Sequence, residues 1–348
     1  PKVSVIVPTY NRAPLLQQAI DSIRAQTLTD WELISVDDGS NDTTPDVVRA
    51  VTQRDSRIRF YRHTTNRGVA HARNTAMKHA RGTYVAFQDD DDVSHPERLQ
   101  KQADYLDKHP HIVLLFTRIC KFDYDIPDSR HWHINHPEGI LGTLMGPRAI
   151  YQQVGFRPFF VTGEDPDFLD RIKGGATMLE APLYGYRGDR YKDGYRLSYH
   201  KLYAIYHLLR LMSCFHRAQG LKDPIDNAQT IDDAIDNVLP HLPAYIDKNS
   251  AIKEGITTLV LNYMTLPSTA SPEEQDIAAY AKRLFVPCLP FFRYASRYRP
   301  KYRGMFKSHF RRLIRHNRRD VYNNTLSLIV TYRLSPYFLV RLAPLVLF

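Results

Sequence analysis

The stretch TYVAFQDDDD, residues 83–92, joins a short apolar run to four consecutive acids, Asp89 to Asp92. An apolar run of this length, bounded by polar residues, is typical of a strand buried on both faces of a parallel sheet. Four adjacent carboxylates repel one another, whereas a hard divalent cation such as Mg²⁺ or Mn²⁺ prefers oxygen ligands of this kind. A solvated acidic turn is the alternative, but the position at the end of a buried strand favours a metal site.

Comparable apolar runs lie on both sides of this strand, and helical patterns separate them. The predicted strands include VSVIVPTY at 3–10, WELISVDD at 31–38 and IVLLFTRI at 112–119. Residues 14–26 and 95–110 carry apolar side chains at helical spacing. Strands that alternate with helices in this way predict an α/β fold, with an open, mainly parallel sheet flanked by helices.

Three polar clusters follow directly on predicted strands: PTYNR (8–12), VDDGS (36–40) and QDDDD (88–92). In open parallel sheets, ligands bind at the carboxyl ends of the strands. We therefore expect the three clusters to gather along one edge of the sheet and to form a binding site there. From about residue 120 to 195 the pattern is irregular and rich in loops, and from about 197 onward it becomes helical.

Four segments, in this order and spacing, resemble the family-2 inverting glycosyltransferases of the GT-A fold, of the type that builds bacterial surface polysaccharides: VSVIVPTYNR, WELISVDDGSNDTT, NRGVAHARNTAMKHARGTYVAFQDDDD and TGEDPDFLDR. The resemblance is close over residues 2–115, fair from there to about 190, and absent after about 200. It implies a Rossmann-like GT-A catalytic domain at 1–196, with a nucleotide-binding half to about 115 and an acceptor half over 116–196. A helical C-terminal extension would occupy 197–348.

The resemblance assigns donor-binding roles to residues of the first two clusters and of the segment before the acids. Pro8, Thr9 and Tyr10 match the loop that cradles the nucleotide base, with the ring of Tyr10 stacked on it. Asp38 matches a carboxylate that accepts a hydrogen bond from a uracil N–H, so the donor is expected to be UDP-linked. Arg73 matches an arginine near the base and the phosphates; a surface position on an exposed helix is the alternative.

Among the four acids, the family's D-x-D pattern aligns Asp89 and Asp91 as the metal-binding pair, with Asp90 beside the ribose. A pairing of Asp90 with Asp92 is the other possible alignment. The implied cofactor is Mn²⁺ or Mg²⁺, which neutralises the diphosphate as the nucleotide leaves. Repulsion among the acids predicts a loop that stays mobile until cation and nucleotide are bound.

The GEDPDF segment supplies the expected catalytic base. Inversion requires a base on the sugar face opposite the leaving diphosphate, and Asp165 matches the carboxylate of the family's ED motif. Glu164 is its neighbour and a possible acceptor contact, and Asp167 is a weaker candidate for the base. As an alternative, Asp165 followed by Pro166 is a good helix start, with the aspartate as N-cap.

Two further loops match the family less well. The Tyr-Arg-x-His stretch that touches the diphosphate has Tyr186 and Arg187 in place but Asp189 where the His would stand. Positive charge could come from nearby residues that otherwise form a solvated basic loop: Arg190, Lys192 and Arg196. A second loop contains three histidines and a tryptophan: His131, Trp132, His133 and His136. The histidines do not have a standard zinc-ligand spacing, so we expect this loop to cover the acceptor, with Trp132 as a sugar-stacking platform.

The net charge of +10 is concentrated near the C-terminus, where residues 281–320 contain 13 Lys or Arg and one acid. Aromatic residues interleave with these cations over 291–319, as suits an anionic membrane surface. The same composition would also suit nucleic acid. Ordinary packing on the catalytic domain, or an oligomer contact, is a further alternative.

No apolar run is long enough for a membrane span, and three cysteines without a CxxC pair fit a reducing compartment.

The sequence therefore predicts a metal-dependent inverting glycosyltransferase, a hexosyl- or N-acetylhexosaminyl-transferase. It would act in the cytoplasm at the inner face of the cell membrane, on a saccharide or lipid-linked acceptor for surface polysaccharide or lipopolysaccharide. A nucleotidyltransferase on a similar sheet is one alternative, although PTYNR lacks the glycines usual in such enzymes. A non-enzymatic nucleic-acid-binding protein that uses the basic C-terminal region is another. The donor sugar, the linkage and the oligomeric state are not encoded in recognisable motifs.

Overall fold

The chain divides into two compact units, Pro1–Gly194 and Tyr195–Phe348. The computed structural model describes residues 1–122, 126, 128–134, 139–188, 196–246, 248–249, 251–252, 275, 279–280 and 283–284.

Unit 1 is built on one mixed sheet. Its described strands are β1 (Val3–Thr9), β2 (Trp31–Asp37), β3 (Ile58–Arg62), β4 (Tyr84–Phe87), β5 (Val93–Ser94), β6 (Ile112–Phe122), β7 (Met145–Pro147) and β8 (Gly175–Arg187). They run in the order β3-β2-β1-β4-β7-β6-β8-β5. The first four in this order are parallel, and so are β6 and β8; β7 is antiparallel to both its neighbours, and β5 to β8. The predicted α/β fold with a mainly parallel sheet is confirmed.

Helices cover both faces of this sheet. Those of unit 1 are α1 (Ala13–Arg24), α2 (Thr44–Thr52), α3 (Val69–His79), α4 (Arg98–Lys108), α5 (Arg148–Val154) and α6 (Glu164–Arg171). One apolar cluster joins the sheet to α1, α2 and α4, and a second joins it to α3, α5 and α6. Because each strand of the parallel half lies between two apolar layers, β1, β2 and β4 are buried along their whole length, as their continuous apolar runs predict.

The three polar clusters meet at one edge of the sheet, as predicted. Thr9 pairs in register with Asp37, and the Asp38 amide donates to the Thr9 carbonyl over 2.9 Å. On the other side of β1, Ile6 pairs with Phe87, the last residue of β4. The loops after β1, β2 and β4 therefore leave the sheet side by side.

The region from about 120 to 195 is more regular than its sequence predicts. It contains β7, α5, α6 and the 13-residue strand β8, which pairs with β6. Most of β8 is only half-buried, so it lacks the continuous apolar run of the early strands. Its register with β6 also shifts near Thr117 and Arg118, which breaks the alternation of side chains that marks a strand in sequence.

Unit 2 is helical where it is described, with α7 (Arg196–Ala218), α8 (Ile231–Val238) and α9 (Leu242–Ile246). One face of α7 is buried at Ile205, Leu208, Leu209 and Met212, which confirms the helical pattern predicted from about residue 197. In α8 a reciprocal capping box joins Thr230 and Asp233. None of the helices in the described part of the chain combines the length and the apolar character that a membrane span requires. The basic segment 291–319 lies outside the described residues.

Candidate active site

Arg73 brings the two acidic motifs together. It projects from α3, and its side chain is only 6% exposed. Its guanidinium lies 2.6 Å from an oxygen of Asp165, 2.9 Å from Glu164 and 3.6 Å from Asp89. The alternative of a surface position for Arg73 is therefore wrong. Arg73 pairs instead with Glu164 and Asp165, although they lie 91 and 92 positions later in the sequence.

Burial and like charge raise the pKa values of the two acids in the ED motif. For Glu164, burial and the charge of Asp165 raise the pKa to about 8, against the opposing effect of Arg73. Burial also raises the pKa of Asp165, while Arg73 and the contact with Glu164 lower it, and 35% of its side chain stays accessible. The pair thus shares a proton that resides mainly on Glu164 at neutral pH. Burial alone would lower the pKa of Arg73, but the three acids raise it, so this cation is permanent.

The start of α6 positions these two acids. Glu164 and Asp165 occupy the first two positions of the helix, and Gly163 stands at the cap with a left-handed φ of 75° and no side-chain cap bond. The N-cap alternative for Asp165 is therefore wrong. Asp167 is fully buried, with ion pairs to Arg157 at 2.8 Å and Arg171 at 3.0 Å, so it anchors the helix rather than facing a cleft.

We call residues 88–92, between β4 and β5, the acid loop. Its four carboxylates have different surroundings. Asp91 and Asp92 are buried, and Asp92 accepts a hydrogen bond from the amide of Arg187 at 2.9 Å. Asp89 is 21% exposed and faces Arg73. Burial and the charge of Asp91 raise the pKa of Asp90 to about 7, whereas Thr9 and Arg12 act in the opposite direction. The acid loop and the loop after β1 are therefore in electrostatic contact.

The acid loop suits a hard cation chemically, although it does not enclose one. Among the described residues, no group of three or more His, Cys, Asp or Glu side chains is arranged to hold a metal ion. Mg²⁺ and similar cations are commonly bound through one or two carboxylates, with substrate phosphates and water completing the shell. Burial first, and then the charges of Asp91 and Asp89, raise the pKa of Asp90, and a bound cation would offset the repulsion among these acids. Asp89 and Asp91 therefore fit a divalent cation whose remaining ligands are water or, once a donor is bound, diphosphate oxygens.

The loop after β1 presents an aromatic ring to solvent. Pro8 and Thr9 belong to β1, and the side chain of Tyr10, directly after them, is 40% exposed. The next residue, Asn11, adopts a positive φ of 52°, which is uncommon for a residue other than glycine. Its amide donates to the Ser40 hydroxyl at 2.8 Å, and its side chain accepts from the amide of Asn41. These bonds join the loops after β1 and β2 and so hold the backbone next to Tyr10 in place.

Asp38 holds the turn that leads into α3. Its carboxylate accepts hydrogen bonds from the amides of Arg67 and Gly68, the shortest at 2.7 Å, and contacts His63 Nδ1 at 2.6 Å. Gly39 is required beside it, because its φ is 81° and a Cβ would approach the Thr65 backbone to 2.6 Å. A uracil N–H would have to share an acceptor that the chain already uses, so the donor-binding role of Asp38 stays a prediction.

The two weaker loops are only partly described. Trp132 packs against the backbone of Gly185 and the ring edge of His95, with ring centroids 5.5 Å apart. Arg187 donates to the Asp91 carbonyl at 3.1 Å and to Gln18 at 2.8 Å. His131 and His133 are exposed and Tyr186 is half-buried. Five other residues singled out in these loops lie outside the described residues or have no described side chain: His136, Asp189, Arg190, Lys192 and Arg196.

The structure also shows residues that sequence reasoning missed. Arg98 lies fully buried behind the acid loop, and the Tyr184 hydroxyl accepts a hydrogen bond from the Asp89 amide at 3.1 Å. His63 bridges Asp38 and the Thr75 hydroxyl. In the sequence, Arg98 reads as an ordinary charge in the first turn of a helix, and the other two stand alone in strand-like runs. No local signal distinguishes them, because their partners are distant in sequence.

The comparisons with known proteins agree with this geometry. A model of the family "Glycosyl transferase family 2" matches residues 4–171. EpsE of Bacillus subtilis, provisionally named a glycosyltransferase, is 41% identical over 124 residues, which is 35% of this chain and 45% of EpsE. TuaG of the same organism, provisionally named a teichuronic acid biosynthesis glycosyltransferase, is 40% identical over 124 residues, 36% of this chain and 46% of TuaG. The matched segments span less than half the length of these two relatives.

Among solved structures, residues 1–349 of S. aureus TarS superimpose with a TM-score of 0.52 at 20% identity, covering 96% of this chain and 91% of that one. At this identity the likeness concerns the fold alone, and it agrees with the predicted GT-A architecture. The family model covers the four motifs that carry the sequence resemblance, apart from Val3 at the start of the first. Residues 4–171, which lie in the N-terminal unit, therefore form a glycosyl transferase family 2 domain.

Proposed function

We propose that this protein is a divalent-cation-dependent, inverting glycosyltransferase that moves a hexosyl or N-acetylhexosaminyl group from a UDP-linked donor. The acceptor would be a saccharide or a lipid-linked saccharide in the synthesis of surface polysaccharide or lipopolysaccharide. The observation that carries the proposal is the ion-pair network of Arg73, which holds Asp89 of the acid loop and Asp165 of the ED motif on one guanidinium. The relation to EpsE and TuaG supports the reaction class and the polysaccharide role.

In this proposal Asp165 is the general base. The acceptor hydroxyl would lose its proton to Asp165 as it attacks the sugar from the face opposite the diphosphate. Two features of the chain favour that role: Arg73 and the contact with Glu164 oppose the rise that burial causes in the pKa of Asp165, and a third of its side chain remains accessible. Glu164 holds a proton at neutral pH and so limits the negative charge beside the base.

The donor would lie along the edge formed by the loops after β1, β2 and β4. Tyr10 would offer a face for the nucleotide base and Asp38 would flank it. Arg73 would lie between the base and the phosphates, and Asp90, which interacts with Thr9, would take the ribose position. Asp89 and Asp91 would hold Mn²⁺ or Mg²⁺. When bound, this cation supplies charge neutralisation for the leaving diphosphate. Arg73 adds a permanent positive charge next to Asp89.

The rest of the chain has supporting roles in this proposal. Residues 1–196 form the catalytic domain, with 1–115 on the nucleotide side and 116–196 on the acceptor side, where Trp132 and Glu164 contact the acceptor. Residues 197–348 form a helical, basic region at the inner face of the cell membrane, with an oligomer contact as the competing role. The composition of 291–319 supports the membrane role, because cations alternate there with aromatic rings suited to a lipid headgroup layer.

A donor screen followed by two variants tests the proposal. Full-length protein with Mn²⁺ is screened by thermal shift against UDP-, GDP- and dTDP-linked sugars, and the best donor is then used in transfer assays. Asp91→Ala and Asp165→Asn should each reduce transfer by orders of magnitude without loss of fold, as checked by circular dichroism. The product anomer, measured by NMR, should be inverted relative to the donor.

The outcomes separate the alternatives. Full transfer by folded Asp165→Asn would refute the assigned base, and a retained anomeric configuration would refute inversion. Release of pyrophosphate from a nucleoside triphosphate supplied with a sugar 1-phosphate, without release of a nucleoside diphosphate from any nucleotide sugar, would indicate the nucleotidyltransferase. Binding of a random oligonucleotide in preference to anionic vesicles, at matched salt, would favour the nucleic-acid role and remove the membrane proposal.

A further inference from the structure

A buried arginine lies directly behind the acid loop. Arg98 is the first residue of α4, and its side chain is fully buried. In the described part of the chain, its side-chain hydrogen bonds all go to neutral oxygens: the Phe87 carbonyl at 2.9 Å, Gln88 Oε1 at 3.2 Å, Ser94 Oγ at 2.9 Å and Gln102 Oε1 at 3.1 Å. A buried cation without a direct carboxylate partner is costly, so it persists only where surrounding structure stabilises it.

The acids of the loop provide that stabilisation from a distance. Burial lowers the pKa of Arg98 to about 10, and the charges of Asp89 and Asp92 oppose the decrease. Arg98 therefore keeps its charge at neutral pH. Its guanidinium also lies 5.0 Å from the ring centre of Tyr184, whose hydroxyl accepts the hydrogen bond from the Asp89 amide.

The hydrogen bonds of Arg98 join the two ends of the acid loop. Phe87 and Gln88 precede the acids, and Ser94 follows them in β5. Gln88 extends the same network: it accepts from the Ser94 hydroxyl at 2.6 Å and donates to the carbonyls of Asp89 and Asp92. Because one planar guanidinium bonds to both ends, the distance that the loop must span is fixed.

We propose that Arg98 is a positioning residue, which fixes the span of the acid loop and thereby sets the affinity of Asp89 and Asp91 for a divalent cation. This inference rests on the cation dependence in the proposed function. It differs from a role in charge balance, because balance requires only a positive charge at this place. Positioning requires the fork of donors that arginine has and lysine lacks.

The test compares Mn²⁺ binding by full-length variants in the absence of donor, with free Mn²⁺ measured by electron paramagnetic resonance. Arg98→Lys should raise the Kd for Mn²⁺ tenfold or more, and Ser94→Ala, a milder change in the same network, about threefold. Arg148→Lys is the matched control, because Arg148 also bonds a backbone carbonyl and a glutamine side chain but lies away from the acid loop. Its Kd should be unchanged.

A second measurement needs no metal. Hydrogen exchange of the amides at 88–94 in the metal-free chain should be faster in Arg98→Lys and in Ser94→Ala than in the wild type, with the amides of β1 and β2 unchanged. This measurement stays informative if Arg98→Lys folds poorly, because Ser94→Ala retains the arginine.

Several results would overturn the inference. One is a Kd for Mn²⁺ in folded Arg98→Lys that equals the wild-type value. Another is tighter Mn²⁺ binding by Arg98→Met, because the arginine would then only repel the cation. The third is the absence of Mn²⁺ binding by the wild type. The proposed function fails separately. If no donor supports transfer but Mn²⁺ binding still depends on Arg98, the enzyme assignment is wrong and the positioning role stands.

Discussion

The acid loop and the ED motif hold their carboxylates in opposite ways. The acid loop is supported from behind, by a buried arginine and a tyrosine hydroxyl that bond mostly to backbone and neutral side chains. The Glu164–Asp165 pair is held by a single cation in front of it, Arg73, and Asp165 remains partly accessible. Carboxylates held in fixed positions suit the binding of a cation and a diphosphate, whereas a titratable pair in which the Asp165 side chain is partly accessible suits proton transfer.

The largest effect on transfer is expected when the proposed general base, Asp165, is removed. Asp165→Asn keeps the shape of the side chain but cannot accept a proton, so transfer should fall by about 10³-fold, within the range for general bases. Donor-induced thermal stabilisation should persist, since the acid loop is intact. The control is Asp170→Asn, an exposed acid on the same helix. Equal losses in both variants would show that the helix, rather than the carboxylate, matters.

Removal of the shared cation should affect the ED motif more than the acid loop. Arg73→Met deletes the charge that lowers the pKa values of Glu164 and Asp165, so both values should rise. Because the base must be ionised, the acidic limb of kcat/KM should move to higher pH, and transfer at pH 7 should fall by about 10²-fold. Lys78→Met, an exposed position on α3, is the control. An acidic limb at the same pH in Arg73→Met as in the wild type would show that Arg73 does not set the pKa of the base.

The donor side can be weakened without touching either acidic motif. Tyr10→Ala removes an exposed ring that would stack on the base, so the donor KM should rise about tenfold, as expected for one base–aromatic stack. Tyr10→Phe keeps the ring and should behave like the wild type. Unfolding temperatures of both variants should stay near the wild-type value, because the side chain is not in the core. A normal KM for Tyr10→Ala would remove Tyr10 from the donor site.

The smallest expected effect is a pH dependence of stability that comes from Glu164. Its pKa is about 8 in the folded chain against a usual 4.5, so the folded state binds the proton more tightly. Between these values, unfolding releases a proton, and rising pH therefore favours unfolding. The unfolding temperature should fall from pH 5 to pH 8, and Glu164→Gln should flatten that decrease. The same slope in both proteins would show that Glu164 is not the group responsible.

The sequence predicts the parallel half of the sheet well, because its signals are local. Continuous apolar runs specify β1, β2 and β4, and the polar clusters that follow them must meet once the strands are parallel. The half-buried strand β8 has no such run, and its register depends on irregularities in β6. The order and spacing of motifs identified the family, which the family model confirms over residues 4–171.

The site is less predictable, because its contacts join residues far apart in sequence. The motif at Asp165 could be read as a cap or as a base, and only the structure shows that Gly163 takes the cap position. The expectation of a mobile acid loop considered repulsion alone. It did not include Arg98, whose charge lies behind the acids and whose donors join the loop ends. Buried partners of this kind leave no periodic trace in a sequence.

Helix α3 connects the two ends of the proposed donor. Asp38 holds the amide of Gly68 at its start, and Arg73 projects from it five residues later. At about 1.5 Å of rise per residue, those five residues span about 7.5 Å along the axis. α3 is thus a spacer of fixed length between the turn on the nucleotide side and the guanidinium of Arg73, which lies beside the proposed general base Asp165. An insertion of one residue within this segment would change that separation and rotate Arg73 about the axis by roughly 100°, so the first half of α3 should not tolerate changes of length.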